Sequence, residues 1–336
     1  MNTILQRITE KKQELDAHKP LPPALVKNLE DWLKVELTYS SNAIEGNTLS
    51  RIETAEIIEK NMTAVIRGKP LKDQLEALNH AKAVEFIKRL AAVRKSHQFI
   101  TEHDIQDIHR IILSGIDDMW AGKYRQTEVF IRGSNTEFPL PHIVPIEMKK
   151  FIEWLEAQQG IHPVTVAADA HYKFVAIHPF IDGNGRTTRL LMNLILLIHG
   201  YPIAIIRNED RTAYLHSFEI IRTQHSLEPF NTLIYEGIER SLDIYLKALK
   251  HKQPVFKRFE PSQKTDLLKI GELAKKTGET IHTLRYWTKE GLLTAVDYTK
   301  GGYQLYDKTS IERVQKIRTL QREKRLTINE LKKALA

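Results

Sequence analysis

The chain has 336 residues, 42% of them hydrophobic and 27% charged, with no cysteine and a formal net charge of +8. That length supports two or three cored domains, the missing cysteine excludes disulfides and thiolate metal sites, and no apolar run is clean enough for a membrane span. The charge is uneven: residues 251–336 hold 19 Lys and Arg against 10 Asp and Glu, the first 250 hold 31 against 32, and a polyanion, nucleic acid first, is the partner expected of the tail.

The opening residues MNTILQRITEKKQELDAH lack the apolar stretch of a signal peptide, so cytoplasmic residence is expected. From Leu5 to about Lys250 apolar residues recur three and four apart, which predicts an all-α body. Within it SNAIEGN, Ser41 to Asn47, follows a helical stretch beginning near Lys27; Ser41 and Glu45 share a face and Gly46 is a natural terminator. The segment Thr127–Val144 sets β-branched and aromatic residues around a Gly-Ser-Asn turn signal, and reads as a hairpin with a frayed second strand. AADAHYKFVAIHPF predicts a helix to about Val175 that Pro179 stops, with His171 a packed or surface histidine rather than a ligand.

The run HPFIDGNGRTTR, His178 to Arg189, has the make-up of a nucleotide-phosphate site. Gly183 and Gly185 let backbone amides turn toward an anion, and a helix predicted over Arg186–Ile198 adds its N-terminal dipole. Arg186 and Arg189 share a face and present two guanidinium forks. Asp182 offers a hard oxygen for magnesium, and His178 is the group able to take a proton near neutral pH. The apolar stretch Leu190–Ile206 is a buried helix and its exit. RTAYLHSF, further on, places Tyr214 and Leu215 as an aromatic-apolar pair.

These twelve residues resemble the signature of Fic proteins, HxFx(D/E)GNGRxxR, at every fixed position. The resemblance implies a mainly α, Fic-type helical core with a β-hairpin flap, and transfer of AMP from ATP to a protein hydroxyl. It implies His178 as general base, Asp182 as the Mg2+ ligand, Asn184 with the amides of Gly183 and Gly185 on the α-phosphate, and Arg186 and Arg189 on the β and γ groups. Ser41 and Glu45 resemble the inhibitory helix, about residues 35–46, of the class in which it precedes the core; there the glutamate pairs with the second signature arginine, here Arg189. In some relatives the same glutamate aligns water to remove AMP. The flap, Val129 to Ser134, implies edge-on docking of a target segment bearing Ser, Thr or Tyr, with Ile131, Arg132, Gly133 and Ser134 over the nucleotide. Tyr214 and Leu215 stand where relatives have a pair near adenine, and Arg222 replaces an adenine-contacting asparagine, which leaves base selectivity open beyond ATP.

After Leu249 the chain turns polar, basic and proline-containing, an interdomain linker over 251–266. The expected divisions are an N-terminal helical region over 1–100, a catalytic core over 101–250 and a terminal domain over 267–336. Residues 268–293 have helix-turn-helix grammar, with Ile270, Leu273, Ala274, Ile281 and Leu284 as the small core and His282, Thr283, Arg285 and Lys289 facing outward. DYTKGGYQLYD suits a wing. IGELAKKTG, TLRYW followed by EGLL, and GGYQLYD resemble a MerR-type winged helix-turn-helix, which implies DNA contacts from His282, Thr283, Arg285, Tyr286, Lys289, Lys300 and Tyr303. The long dimerisation helix of such regulators has no counterpart before Ala336, so palindrome reading would need a homodimer formed elsewhere. A DNA-binding regulator whose Fic core senses nucleotide or modifies itself is the alternative function.

Overall fold

Side-chain caps and prolines decide where the helices begin in this computed structural model, which describes residues 3–61, 65–130, 136–251, 267–293, 295, 297–298, 304–307, 309–324 and 328–335. In chain order the N-terminal helices are α1 (Thr3–Ala17), α2 (Pro23–Ile44), α3 (Arg51–Lys60), α4 (Leu71–Val93) and α5 (Glu102–Leu113). The next five are α6 (Val144–Glu156), α7 (Pro163–Ile177), α8 (Asn184–Ile198), α9 (Arg211–Gln224) and α10 (Glu228–His251). Proline occupies the first turn of α2 and α7, where its missing N–H has no intrahelical acceptor to lose. Ser50 with Glu53 and Thr101 with Asp104 close reciprocal capping boxes at α3 and α5.

The chain divides into two compact units, Met1–Phe259 and Glu260–Ala336. In the first, one apolar core runs from Ile4 to Ala248, so residues 1–100 and 101–250 share an interior. At its centre is α8, whose Leu190, Leu191, Met192, Leu194, Ile195 and Leu196 are all buried; a helix apolar on every side must be enclosed, and α2, α4, α5 and α7 pack around it. Asn193 ties its exit down: Nδ2 donates to the carbonyls of Arg189 and Ala204, and Oδ1 accepts from the Ala204 amide. No helix among the described residues is long and apolar enough to cross a membrane.

The hairpin segment is corrected in part. Residues 127–130 and 136–140 are irregular, and 131–135 lie outside the described residues. The second strand does not extend to Val144: Pro141–Ile143 is a 3-10 turn and Val144 opens α6, with Pro145 in the first turn.

The second unit contains β1 (Leu268–Lys269), α11 (Ile270–Thr277), α12 (Ile281–Lys289), β2 (Asp297–Tyr298), β3 (Gln304–Tyr306), α13 (Thr309–Lys324) and α14 (Ile328–Leu335). The strands form an antiparallel sheet in the order β1, β3, β2. Gly278 in the left-handed region ends α11, and the Thr280 hydroxyl accepts from the Thr283 amide to start α12. Leu273, Leu284, Trp287, Tyr306, Val314 and Ile317 build the core. Ile281, expected in that core, is 42% exposed instead.

Candidate active site

The His178 loop is built by conflict between helix and proline. Pro179 disfavours helical backbone at the residue before it, and His178 ends α7 in the left-handed region at φ 50°. Such a conformation costs a non-glycine residue about 1–2 kcal/mol and persists only where its surroundings enforce it. Arg125 supplies that enforcement. It is 2% exposed; its amide donates to Pro179 O, Nε donates to His178 O at 2.8 Å, and its two Nη atoms donate to Thr127 O and Pro139 O. One side chain thus holds the loop and both flanks of the expected flap.

The far end of the loop is closed by Asn184 and His109. Asn184 Oδ1 accepts from the Phe180 amide at 2.9 Å and Nδ2 donates to Phe180 O at 2.8 Å. Both polar ends of Asn184 thus brace the loop, each with one hydrogen-bonding position to spare, and its backbone stands at the helix start. His109 stacks on Phe180 with centroids 3.6 Å apart, accepts from Gly122 N on Nδ1, and donates from Nε2 to Asp182 O at 2.9 Å. Burial lowers its pKa to about 4, so it is neutral. Gly183, at φ 76°, lies 3.3 Å below that ring measured from where a Cβ would be.

Helix α8 begins at Asn184, two residues before its predicted start, and no side chain caps it. Its first-turn amides, uncapped by any side chain, form the kind of helix start that favours an anion. Arg186 is 2% exposed; Nη2 lies 3.3 Å from Asp182 Oδ1, and Nη1 lies 3.0 Å from Glu76 Oε1 but off the line of a hydrogen bond. Arg186 Nε is also buried without a hydrogen bond. These are donors with capacity left for a further acceptor.

Glu45 caps the C-terminus of α2, and its carboxylate reaches Arg189 Nη2 at 2.7 Å. Ser41 completes the grip: Oγ accepts from Arg189 Nε at 2.9 Å and its carbonyl from Nη2 at 2.7 Å. Burial opposes charge on Arg189, and Glu45 overrides it, holding the guanidinium above the usual arginine range. A Cβ on Gly185 would stand 2.2 Å from Glu45 Oε1. The carboxylate therefore lies against the start of α8, where an anion is favoured. Arg211 donates from Nε to Ile44 O and fixes the end of α2.

His178 is largely buried, with Phe138 at 4.3 Å between ring centroids. Burial brings its pKa down to about 4, against the pull of the Val175 carbonyl, although Nδ1 makes no hydrogen bond of normal geometry. A neutral imidazole is the proton acceptor that base chemistry requires. Asp182 is half-exposed. Burial raises its pKa, but Arg186 and the Gly183 amide hold it below the usual carboxylate range. Among the described residues no three His, Cys, Asp or Glu side chains could hold a metal by themselves. A lone carboxylate fits a hard cation that brings phosphate and water as its other ligands.

One expected contact differs. Tyr214 is 2% exposed, its hydroxyl 2.8 Å from His171 Nε2 and beside the Arg189 guanidinium. It belongs to the core around Arg189 and offers no open face to adenine, whereas Leu215 is exposed. Ile131, Arg132, Gly133 and Ser134 lie outside the described residues, as do Lys300 and Tyr303. In the second unit His282, Arg285 and Tyr286 are exposed on α12, and Thr283 is half-buried with its hydroxyl 2.8 Å from that of Thr280. The side chain of Lys289 is outside the described residues. Arg125, His109 and Glu76 were not anticipated, because each acts on a partner more than 50 positions away along the chain.

A helical core that ends one helix at a left-handed histidine and starts the next with an uncapped, arginine-flanked N-terminus has the arrangement of an anion-binding site. Residues 99–196 match the Fic/DOC family, and residues 268–336 match the MerR HTH family regulatory proteins. The chain is 36% identical over 282 residues, 82% of its length, to a protein adenylyltransferase Fic of Culex quinquefasciatus. It spans about half the length of the curated relatives it matches, 55% of that one and 50% of the one from Aedes aegypti. Fic-1 of C. elegans superposes with a TM-score of 0.66 at 32% identity, covering 75% of this chain and 74% of that one. A Fic domain containing signaling protein of Bacteroides thetaiotaomicron gives 0.66 at 31%, covering 73% and 98%. The chain belongs to the Fic family and carries a C-terminal MerR-type helix-turn-helix.

Proposed function

We propose that this chain is a protein adenylyltransferase held off by its own Glu45, with a C-terminal unit that binds DNA. The observation that carries the reading is the Glu45–Arg189 pair at 2.7 Å, set at the uncapped start of α8 beside the His178 loop. A carboxylate and a phosphate oxygen compete for one guanidinium fork, so ATP enters productively only when Glu45 leaves. His178 takes the proton of a target Ser, Thr or Tyr hydroxyl. The freed oxygen bonds to the α-phosphorus, the bond from that phosphorus to the bridging oxygen breaks, and pyrophosphate departs with the electron pair. Arg186, Arg189 and the first amides of α8 hold the departing charge. Asp182 would hold Mg2+, which supplies charge neutralisation at the phosphates when bound. Target docking on the flap and a cytoplasmic place of action, where ATP and DNA are both available, follow the same reading.

The test is protein labelling with α-labelled ATP. Glu45→Gly should increase incorporation about ten- to hundredfold, the equivalent of roughly 1.4–2.8 kcal/mol, and His178→Ala in that background should remove it. Incorporation from the γ position instead would replace AMP transfer with phosphoryl transfer. If Glu45 also aligns water for AMP removal, the Glu45→Gly chain should fail to strip AMP from a premodified target that the native chain clears.

For the second unit, exposed Arg285 and Tyr286 on α12 support insertion of that helix in a major groove. Affinity for a selected duplex should fall steeply with salt, and Arg285→Ala should relax base preference more than it changes the salt slope. DNA affinity that shifts with ATP, without modification of any other protein, would favour a regulator in which the Fic core senses nucleotide.

A further inference from the structure

Both signature arginines face carboxylates from the N-terminal helices, and only one of those carboxylates, Glu45, lies in the inhibitory segment. The second is Glu76 of α4, which is 8% exposed. Its Oε1 lies 3.0 Å from Arg186 Nη1, and its Oε2 accepts from Asn47 Nδ2 at 2.9 Å. Asn47 stands two residues beyond Glu45 in the terminal turn of α2, where its amide donates to Asn42 O and Nδ2 also donates to Asp73 O. A single buried carboxylate therefore touches an arginine of the phosphate site with one oxygen and the end of the inhibitory helix with the other.

We propose that Glu76 is a positioning residue that couples the terminal turn of α2 to Arg186, so that seating of Glu45 on Arg189 and orientation of Arg186 are linked. A guanidinium this buried keeps its aim only while a partner charge constrains it. Asp182 is half-exposed and contributes the other contact, 3.3 Å away. Glu76 also lowers the attraction of Arg186 for phosphate, because its negative charge stands at the same fork. The inference rests on the AMP-transfer reading for its kinetic half, while nucleotide binding tests it independently.

The experiment places Glu76→Gln in the Glu45→Gly chain and measures binding of a non-hydrolysable ATP analogue by calorimetry beside kcat and KM for AMP transfer. The substitution keeps the shape and an acceptor for Asn47 but removes the charge. The expected result is a split: analogue affinity and KM tighten several-fold while kcat falls about tenfold, with a melting temperature several degrees lower because a buried pair loses one charge. Affinity and kcat both within twofold of the parent would overturn the proposal, as would a parallel loss of both. Asn47→Ala tests the link itself. It should raise labelling several-fold when Glu45 is present and add nothing in the Glu45→Gly chain; an equal effect in both backgrounds would sever the coupling. Should the Glu45→Gly chain transfer no AMP at all, the function reading fails, and the calorimetric affinity alone decides whether Glu76 modulates Arg186.

Discussion

Gly185→Ala tests the Glu45–Arg189 contact apart from catalysis, because it can be read by stability alone. Gly185 lies in the first turn of α8, and no positive φ is required of it. With nothing in the way, alanine there would favour the helix by about 0.5–1 kcal/mol. The new methyl carbon, however, would stand 2.2 Å from Glu45 Oε1 and 3.1 Å from Arg189 Nη1. Ordinary contact demands that the carboxylate retreat by more than about 1 Å, which breaks its 2.7 Å bond to Arg189. Breaking a fully buried ion pair costs roughly 3–5 kcal/mol. Here Glu45 is 40% exposed and Ser41 keeps two bonds to Arg189, so about 1–2 kcal/mol is the appropriate scale. Thermal denaturation of the native and Glu45→Gly chains, each with and without Gly185→Ala, forms a double-mutant cycle. The alanine should lower the melting temperature by roughly 1–4 °C in the native chain and leave it unchanged or raised where Glu45 is absent. Equal shifts in the two backgrounds would refute the placement of Glu45 against the helix start.

Arg125→Lys replaces a fork that spans three carbonyls with a point charge, so the His178 loop should lose its aim. AMP transfer is expected to fall at least about tenfold while affinity for an ATP analogue stays within twofold, and a parallel loss of both would show that Arg125 merely supports the fold. Four buried histidines set an acid boundary on stability: His109 and His178 have pKa values lowered to about 4, and burial holds His80 and His171 well below the ordinary range. They are neutral when folded, and an unfolded chain takes up their protons near pH 6.5, so stability falls as pH drops from about 6.5 toward 4. His109 alone accounts for about 3 kcal/mol over that window, and a melting temperature flat between pH 7 and 5 would contradict the assignment. For the same reason the acid limb of the transfer rate should lie near pH 4, well under that of an exposed histidine.

The candidate phosphate cradle was legible because its parts are contiguous: His178, Asp182, the glycines and the arginines fall within one loop and one helical turn. Glu45 was legible through the company it keeps, since Ser41 and Glu45 on one helix face say nothing alone. What the sequence could not display were contacts made across the chain. Arg125, His109 and Glu76 sit at unremarkable positions and acquire meaning only when α4, α5 and the segment after it fold against α8. Asn184 shows a different limit, because an amide inside a glycine loop can serve a ligand or brace the backbone, and composition does not separate the two. Tyr214 was drawn inward by His171 and Arg189, groups that become its neighbours only in three dimensions. At Val144 the β-branched pattern suggested a strand, whereas Pro145 is equally suited to the first turn of a helix, and the helix prevailed. Ile281 shows that the apolar period of a nine-residue helix is too short to assign faces securely.

The three braces on the His178 loop, from Arg125, Asn184 and His109, all originate outside α2. On the proposed reading, release of Glu45 therefore leaves the loop that holds His178 intact. Activation on that reading requires only that Glu45 clear Arg189, and since nine residues of α2 are buried, the energetic threshold is lowest if the terminal turn alone lifts away. Any event able to free Glu45, whether a partner protein, a second copy of the chain or nucleotide itself, would then expose the same His178 loop, while Arg186 would respond through Glu76 and Asn47. On that reading new inputs can be grafted onto the end of α2 while the His178 loop stays as it is.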